Sequence, residues 1–569
     1  MKQTSKNHKG QKKSSKFPGP KFRFNRFSRS GNSGRVVRLF DTTLRDGSQG
    51  EGVSISVEDK LKIAETLDRL GIHYIEGGWP GSNPKDELFF ERARKELKLK
   101  KAKLVAFSST RRKGHSASTD ENIKKLLSVG TPVVCVFGKS WDSHVTHALR
   151  VSLNENLDLI TDTVSYLKSR KKEVIYDAEH FFDGFIANRE YALATIRSAA
   201  AAGADNVTLC DTNGGMLPRQ IAEIVRDVRL TFPGVSLGIH VHNDSNCGVA
   251  NSLIAVEEGV DLVQGTLNGY GERCGNANLG SIIADLRIKM GIPCVTDEEL
   301  QFLTESSRYI DELANIVPQD NMPYVGNSAF AHKGGVHVSA VEREASYEHV
   351  DPGLVGNHRR ILISELSGKA SVTTKAAELN LNFERDSESV MKILNLVKHK
   401  ENKGFQYEGA EGSFVLLVEE ALGKRRSFFE LTGFRVVVEK ASDDGRMMAE
   451  ATLKIKVGDK VKHTVGEGNG PVDALDHALR KALEEFYPEL RGMSLMDFKV
   501  RVINAQAGTG ARVRVLINSK DSKAEWGTVG VSENIIEASW EALVDAVEYK
   551  LFKDRNLLTG SKLKKRKGP

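Results

Sequence analysis

Cysteine is scarce. Five residues (Cys135, Cys210, Cys247, Cys274 and Cys294) are scattered through 569, and no two form a C-x-x-C pair. That excludes a disulfide scaffold and argues against a structural zinc knuckle. An odd, dispersed set fits a reducing compartment, here the cytoplasm. Long apolar runs are also lacking, and none approaches the ~18 residues of a membrane span. The first 40 residues contain no Asp or Glu and no apolar h-region of a secretory signal. No G-x-G-x-x-G follows a first strand, which argues against dinucleotide binding.

What charge excess there is sits at the ends. The formal charge is +7, yet residues 1–40 hold twelve Lys/Arg and 562–567 five more. Without them 65 basic residues face 75 acidic ones, a net charge of −10. The basic balance therefore belongs to the tails, 1–35 and 561–569, which are expected to be solvated and disordered. A targeting peptide is the alternative that an acid-free tail leaves open. Nucleic acid is not an expected partner of the folded part. At roughly 100–200 residues per domain, the chain has room for three or so domains.

From residue 36 a rhythm begins. Short apolar runs at 36–40, 74–77, 104–107, 133–137, 174–177, 206–210, 236–242 and 262–267 read as strands. Segments such as 57–70, 191–202 and 218–231 carry apolar residues at helical spacing. Eight β/α units over about 230 residues predict an α/β fold with a closed (β/α)8 TIM barrel over 36–295. A doubly wound open sheet is the alternative. Residues 296–404 read as a mostly helical linker. Over 405–560 an α+β module follows: strands at 434–439 and 451–457 precede a helix at 472–487, and strands at 498–503 and 511–517 precede a helix at 535–551. Thr-Val-Gly recurs at 464–466 and 528–530, 64 residues apart. The module therefore reads as a duplicated strand–strand–strand–helix unit. It gathers no cluster of His, Cys and carboxylates, so it is expected to regulate or dimerise.

The sharpest chemical signal is His240-Val241-His242 on the seventh strand. Side chains alternate along a strand, so both imidazoles share one face, at the barrel end where active sites form. Alone, H-x-H also suits a structural pair. Asp46 lies just past the first strand, in the run Asp41-Thr42-Thr43-Leu44-Arg45-Asp46-Gly47. One carboxylate and two imidazoles make a mixed O/N site for Mg²⁺, Mn²⁺ or Zn²⁺. Arg45 places a guanidinium where an oxyanion would develop. An ordinary polar loop is the bland alternative for Arg45 and Asp46. Polar groups also reach the rim from 177–180, which includes Glu179, from 210–215, which includes Thr212, and from the glycine-rich 269–276, which ends on Asn276. His337 stands outside the barrel pattern, where a lone histidine is commonly structural. The convergence of five strand ends on one rim is what marks a site.

Together, D-T-T-L-R-D-G at 41–47, H-V-H-N-D at 240–244 and G-Y-G-E-R-C-G-N at 269–276 resemble the acyl-CoA-condensing branch of the DRE-TIM metallolyases. That branch includes 2-isopropylmalate, homocitrate and citramalate synthases. The likeness spans roughly 36–560, and the duplicated module is similar to the branch's leucine/isoleucine-responsive regulatory domain. Segments 77–86 and 403–411 resemble the citramalate group. The resemblance implies an acyltransferase that condenses acetyl-CoA, as co-substrate, with pyruvate to give (R)-citramalate for isoleucine biosynthesis. The nearest alternative uses 2-oxoisovalerate to make 2-isopropylmalate for leucine. A metal-dependent lyase or aldolase of the superfamily should lack the C-terminal module.

The resemblance also implies roles for residues. Asp46, His240 and His242 would hold the divalent metal, with Asn276 as a fourth or outlying ligand. Arg45, Glu179 and Thr212 would contact the oxo acid. His337, supplied by the partner subunit of a homodimer, would take a proton from the acetyl methyl group, with Glu179 assisting. An amino-acid effector such as isoleucine or leucine is implied, and the loops 466–470 and 508–510 and the stretch 531–537 are candidate places for it. Two departures stand out. Gly335-Val336-His337-Val338-Ser339-Ala340 lacks the Asp found in many relatives' Gly-Ile-His-Ala-Asp-Gly, and position 177 is Asp where some pyruvate-selective relatives carry Tyr.

Overall fold

The computed structural model describes residues 36–334, 347–364, 367–379, 381, 387–440, 447–503 and 511–565. The described residues up to 330, with 348–359, form one compact unit; those of 331–347 and 360–565 form a second.

In the first unit eight parallel strands close in chain order: β1 (Arg38–Asp41), β2 (Tyr74–Gly78), β3 (Lys103–Ser109), β4 (Val133–Lys139), β5 (Glu173–Glu179), β6 (Asn206–Asp211), β7 (Leu237–Val241) and β8 (Leu262–Gly265). β8 pairs back onto β1 in the register Phe40–Gln264 and Asp41–Gly265. The expected barrel is thus present, and the open sheet is excluded. Alternation along the strands sorts the side chains. Leu39, Val134, Val136, Val174, Ile239 and Val241 join the core beneath the helices. Phe40, Val105, Phe107, Cys135 and Ile175 fill the barrel interior. Each fully buried Val, Leu or Ile contributes about 1.5–3 kcal/mol relative to exposure.

Helix α1 (Val57–Arg69) starts at a reciprocal capping box between Ser56 and Asp59. Helix α2 (Pro84–Glu96) starts at Asn83, whose side chain accepts the Lys85 N–H, with Pro84 at the first helical position. The Asn83 cap lies in the short segment that joins β2 to α2 at the barrel mouth.

The second unit begins with helices Lys369–Glu378, Ser387–Asn402 and Glu411–Ala421. Two antiparallel three-stranded sheets follow. Strands Glu430–Lys440, Met447–Val457 and Lys460–Gly468 precede helix Pro471–Leu483. Strands Ser494–Val502, Val513–Lys520 and Glu525–Ser532 precede helix Ile535–Lys565. This is the duplicated pattern the triplets announced. In its first sheet Ala449, Ala451, Leu453 and Ile455 are buried, alternating with exposed Met448, Glu450 and Lys454.

Two helix ends differ from expectation. The helix expected to reach 487 stops at Leu483, because Pro488 opens a 3-10 turn and holds Tyr487 at φ −136°, ψ 75°. The last helix continues to Lys565, into the stretch expected as a basic tail, with no proline to interrupt it. Among the described residues no helix is long and apolar enough to cross a membrane.

Candidate active site

β7 turns His240 into the barrel, between Cys210 on β6 and Gln264 on β8. His242 lies one residue past the strand and bridges to Asn276. Asp46 lies on the turn after β1. Its Oδ2 is 3.4 Å from His240 Nε2 and 3.8 Å from His242 Nε2. All three side chains are buried, and one ligand atom from each lies within 4.8 Å of the others. Burial opposes charge on Asp46, but Arg45, His240 and His242 outweigh it and hold the carboxyl well below the usual carboxylate range. Burial, then the neighbouring His240, pushes His242 down to about 4, so it is a neutral imidazole with a free lone pair. Burial also lowers His240, but its contact with Asp46 wins and raises it.

The chemistry of this donor set fits a divalent metal. Asn276 supports the fit: its Nδ2 donates to the Tyr270 carbonyl at 3.0 Å, while its Oδ1 is buried with no partner among the described residues. A buried amide oxygen left unpaired costs about 1–3 kcal/mol, and a fourth ligand position would satisfy it. Gln264 completes the arrangement. Its Oε1 lies 3.0 Å from His240 Nδ1, and its Nε2 donates to Asp177 Oδ1 at 2.8 Å. That chain puts the His240 proton on Nδ1 and leaves Nε2 for a metal.

Arg45 is no ordinary loop residue. Its Nε donates to Glu76 Oε2 at 2.6 Å, and a terminal nitrogen lies 3.5 Å from Asp46. Its guanidinium carbon sits 3.9 Å from the Phe107 ring centre. Glu76 also accepts from the Thr42 hydroxyl at 2.5 Å. Glu179 reaches the same rim but is ion-paired with Lys139, its register partner on β4. Thr212 lies just past β6, where its hydroxyl accepts the His180 N–H at 2.9 Å. Asp177 is engaged by Gln264. His337 and the loop 508–510 lie outside the described residues.

Glu76, Gln264 and Phe107 escaped the sequence reading, which followed motifs. Their signal was present: each occupies an inward position in the two-residue period of its strand.

Similarity to known proteins agrees with this geometry. Residues 36–310 match the HMGL-like family, 324–404 the homocitrate synthase post-HMGL domain-like family, and 408–551 the LeuA allosteric (dimerisation) domain. The chain is 55% identical over 530 residues to (R)-citramalate synthase of Geobacter sulfurreducens, covering 93% of this chain and 99% of that protein. The chain belongs to the citramalate synthase family. It is 53% identical over 519 residues to (R)-citramalate synthase of Aquifex aeolicus, with 91% and 98% covered. A 2-isopropylmalate synthase of Methanocaldococcus jannaschii is more distant, at 30% over 520 residues, with 91% and 95% covered.

Proposed function

We propose that this protein is an acyltransferase that condenses acetyl-CoA with pyruvate and water to (R)-citramalate and CoA, serving isoleucine biosynthesis. The observation that carries the reading is the buried Asp46, His240 and His242 cluster beside Arg45 at the barrel mouth. The chain's likeness to proteins named (R)-citramalate synthase favours the reading with pyruvate over the reading with 2-oxoisovalerate.

Asp46, His240 and His242, with Asn276 beside them, would hold a divalent cation (Mg²⁺, Mn²⁺ or Zn²⁺), which would supply Lewis acidity to the keto group of the oxo acid. Arg45 donates to the keto oxygen as negative charge develops there. Glu76 fixes the direction of that guanidinium, and Gln264 fixes the tautomer of His240. Thr212 contacts the oxo acid. His337, from the linker of the partner subunit, takes the proton from the acetyl methyl carbon, and Glu179 assists. The deprotonated carbon then bonds to the keto carbon. Thioester hydrolysis releases CoA and makes the sequence effectively irreversible.

The second unit is read as the dimer contact and as the place where an end-product amino acid, isoleucine or leucine, acts. Val437, Val461, Val465, Met496 and Val500 on its sheets are each more than a third exposed, an apolar surface suited to a second copy of the chain.

The test is CoA release by the purified protein with acetyl-CoA and pyruvate, 2-oxoisovalerate or 2-oxoglutarate, each with and without a chelator. Chelator-sensitive release that is far faster with pyruvate is expected. Preference for 2-oxoisovalerate would keep the chemistry and overturn the substrate. No release with any oxo acid, metal restored, would reject a condensing enzyme.

A further inference from the structure

We propose that Trp79 is a substrate-contacting residue that limits the size of the oxo acid, and that the buried Lys60–Asp86 pair is the device that positions it. The proposal rests on the functional reading above and names a residue that reading does not use.

The backbone of Trp79 is held on both sides. Its N–H donates to Asp86 Oδ2 at 2.8 Å. Its carbonyl accepts the Ser82 and Asn83 N–H groups at 3.0 and 3.2 Å. Asp86 is in turn held by Lys60, whose Nζ donates to Asp86 Oδ1 at 2.6 Å and to the Gly77 carbonyl at 3.0 Å. Lys60 is 2% exposed and Asp86 6%. The approach is close enough to require glycine: at Gly78, with φ +148°, a Cβ would collide with the Asp86 carboxyl group. A buried ion pair adds little net stability over a well-packed apolar pair. Its position at the backbone of one residue points to placement of that residue.

The indole it places joins the site. Trp79 sets its ring edge-on to Phe107 and Phe137, at centroid distances of 5.6 and 5.7 Å. Phe107 is the ring that carries the Arg45 guanidinium. The Trp79 Nε1 is buried and has no acceptor among the described residues. A buried indole N–H ordinarily has a partner. A carboxylate beside Arg45 would be a strong acceptor for it. Trp79, Phe107 and Phe137 pack against one another, and their rings make an apolar wall suited to the methyl group of pyruvate and not to a branched chain. One extra methylene against such a wall discriminates by roughly 10–200-fold.

Full-length Trp79→Phe, Trp79→Ala and Asp86→Asn would be compared with the unaltered chain. The readouts are kcat and KM for pyruvate, 2-oxobutyrate and 2-oxoisovalerate, and calorimetric binding of pyruvate without acetyl-CoA. Trp79→Phe keeps a ring and loses the donor, so pyruvate binding should weaken about tenfold, with kcat within about twofold and selectivity retained. Trp79→Ala should raise kcat/KM for 2-oxoisovalerate relative to pyruvate by at least about tenfold. Asp86→Asn should move the same ratio in the same direction, but less. If Trp79→Ala does not fold, Trp79→Leu reads the same ratio. Unchanged pyruvate binding in Trp79→Phe, or an unchanged ratio in the folded smaller variant, overturns the proposal. An unaltered protein that binds pyruvate but turns over no oxo acid defeats the functional reading instead, and calorimetry on Trp79→Phe then still decides the contact.

Discussion

Thr528 donates its hydroxyl to the carbonyl of Ala542 at 2.8 Å. In the earlier copy, 64 residues before, Thr464 does the same to Ala478 at 2.9 Å. The glycine that closes each triplet lets the helix lie directly against the strand. A Cβ on Gly530 would strike the Ala538 carbonyl, and one on Gly466 the Ala478 amide nitrogen. The repeated Thr-Val-Gly is therefore a strand-to-helix packing device. Its recurrence is explained without any ligand.

Gly530→Ala should accordingly destabilise the second unit by about 1–3 kcal/mol through overpacking. Thr528→Ala should cost about 1 kcal/mol for the lost hydrogen bond. Thermal melts of the full chain report both. A Gly530→Ala protein that melts with the unaltered one would show that the helix can lift away, and the packing argument would fail.

Gln264 reaches no metal ligand atom directly, yet it orients His240. Gln264→Leu removes the acceptor for His240 Nδ1 and leaves Asp177 without its amide donor. Affinity for Mn²⁺ should fall roughly 10–100-fold, as read by calorimetric titration, with turnover recovering at high metal. Unchanged affinity would mean the tautomer is set by other means.

His73 should impose an acid limb on stability. It is partly buried, and its Nδ1 accepts the Leu39 N–H at 3.2 Å. Burial, then the charge of Lys101, pushes it down to about 4 from an ordinary 6.5. As pH falls, the unfolded chain takes the proton first. Stability is therefore full above 6.5 and is lost progressively toward 4. With partial solvent screening the loss amounts to up to about 2–3 kcal/mol. Urea midpoints at pH 7, 5.5 and 4.5 should fall more steeply for the unaltered chain than for His73→Asn, which keeps an acceptor but does not titrate. Parallel slopes would assign the acid limb elsewhere.

The barrel was readable because its strands keep a period of two and its helices a period near 3.6, and these local patterns survive folding. Asp46, His240 and His242 were readable because they sit in compact motifs. Glu76 and Gln264 were not, because a lone polar residue in an apolar strand carries no mark of its partner. Gln264 meets His240 only when β8 pairs with β7, and Asp177 meets Gln264 across 87 positions of chain. Lys60 and Asp86 were hidden for the same reason. Each sits in an amphipathic helix where a charge is normally solvated, and the helix-to-strand contact that buries them is tertiary. The extent of the final helix was missed because a basic stretch was equated with a tail, although lysine is a good helix former.

Arg45 offers the sharpest separation of charge from shape. Its guanidinium serves three neighbours at once: Glu76 through Nε, Asp46 through a terminal nitrogen, and the face of Phe107. A lysine supplies the same charge at one point and cannot reproduce that planar fork. Arg45→Lys should therefore retain an ionised Asp46 and near-normal metal binding, while kcat falls about 10²–10³-fold, the loss expected when one donor to a developing oxyanion is misplaced. Arg45→Met should add a stability cost of about 3–5 kcal/mol, because Glu76 is then a buried carboxylate that has lost its counter-charge. Steady-state kinetics, metal titration and a melt on the two variants separate the effects. If Arg45→Lys turns over at the rate of the unaltered protein, the guanidinium is only a brace for Glu76, and the oxyanion must be met by the other groups at the rim.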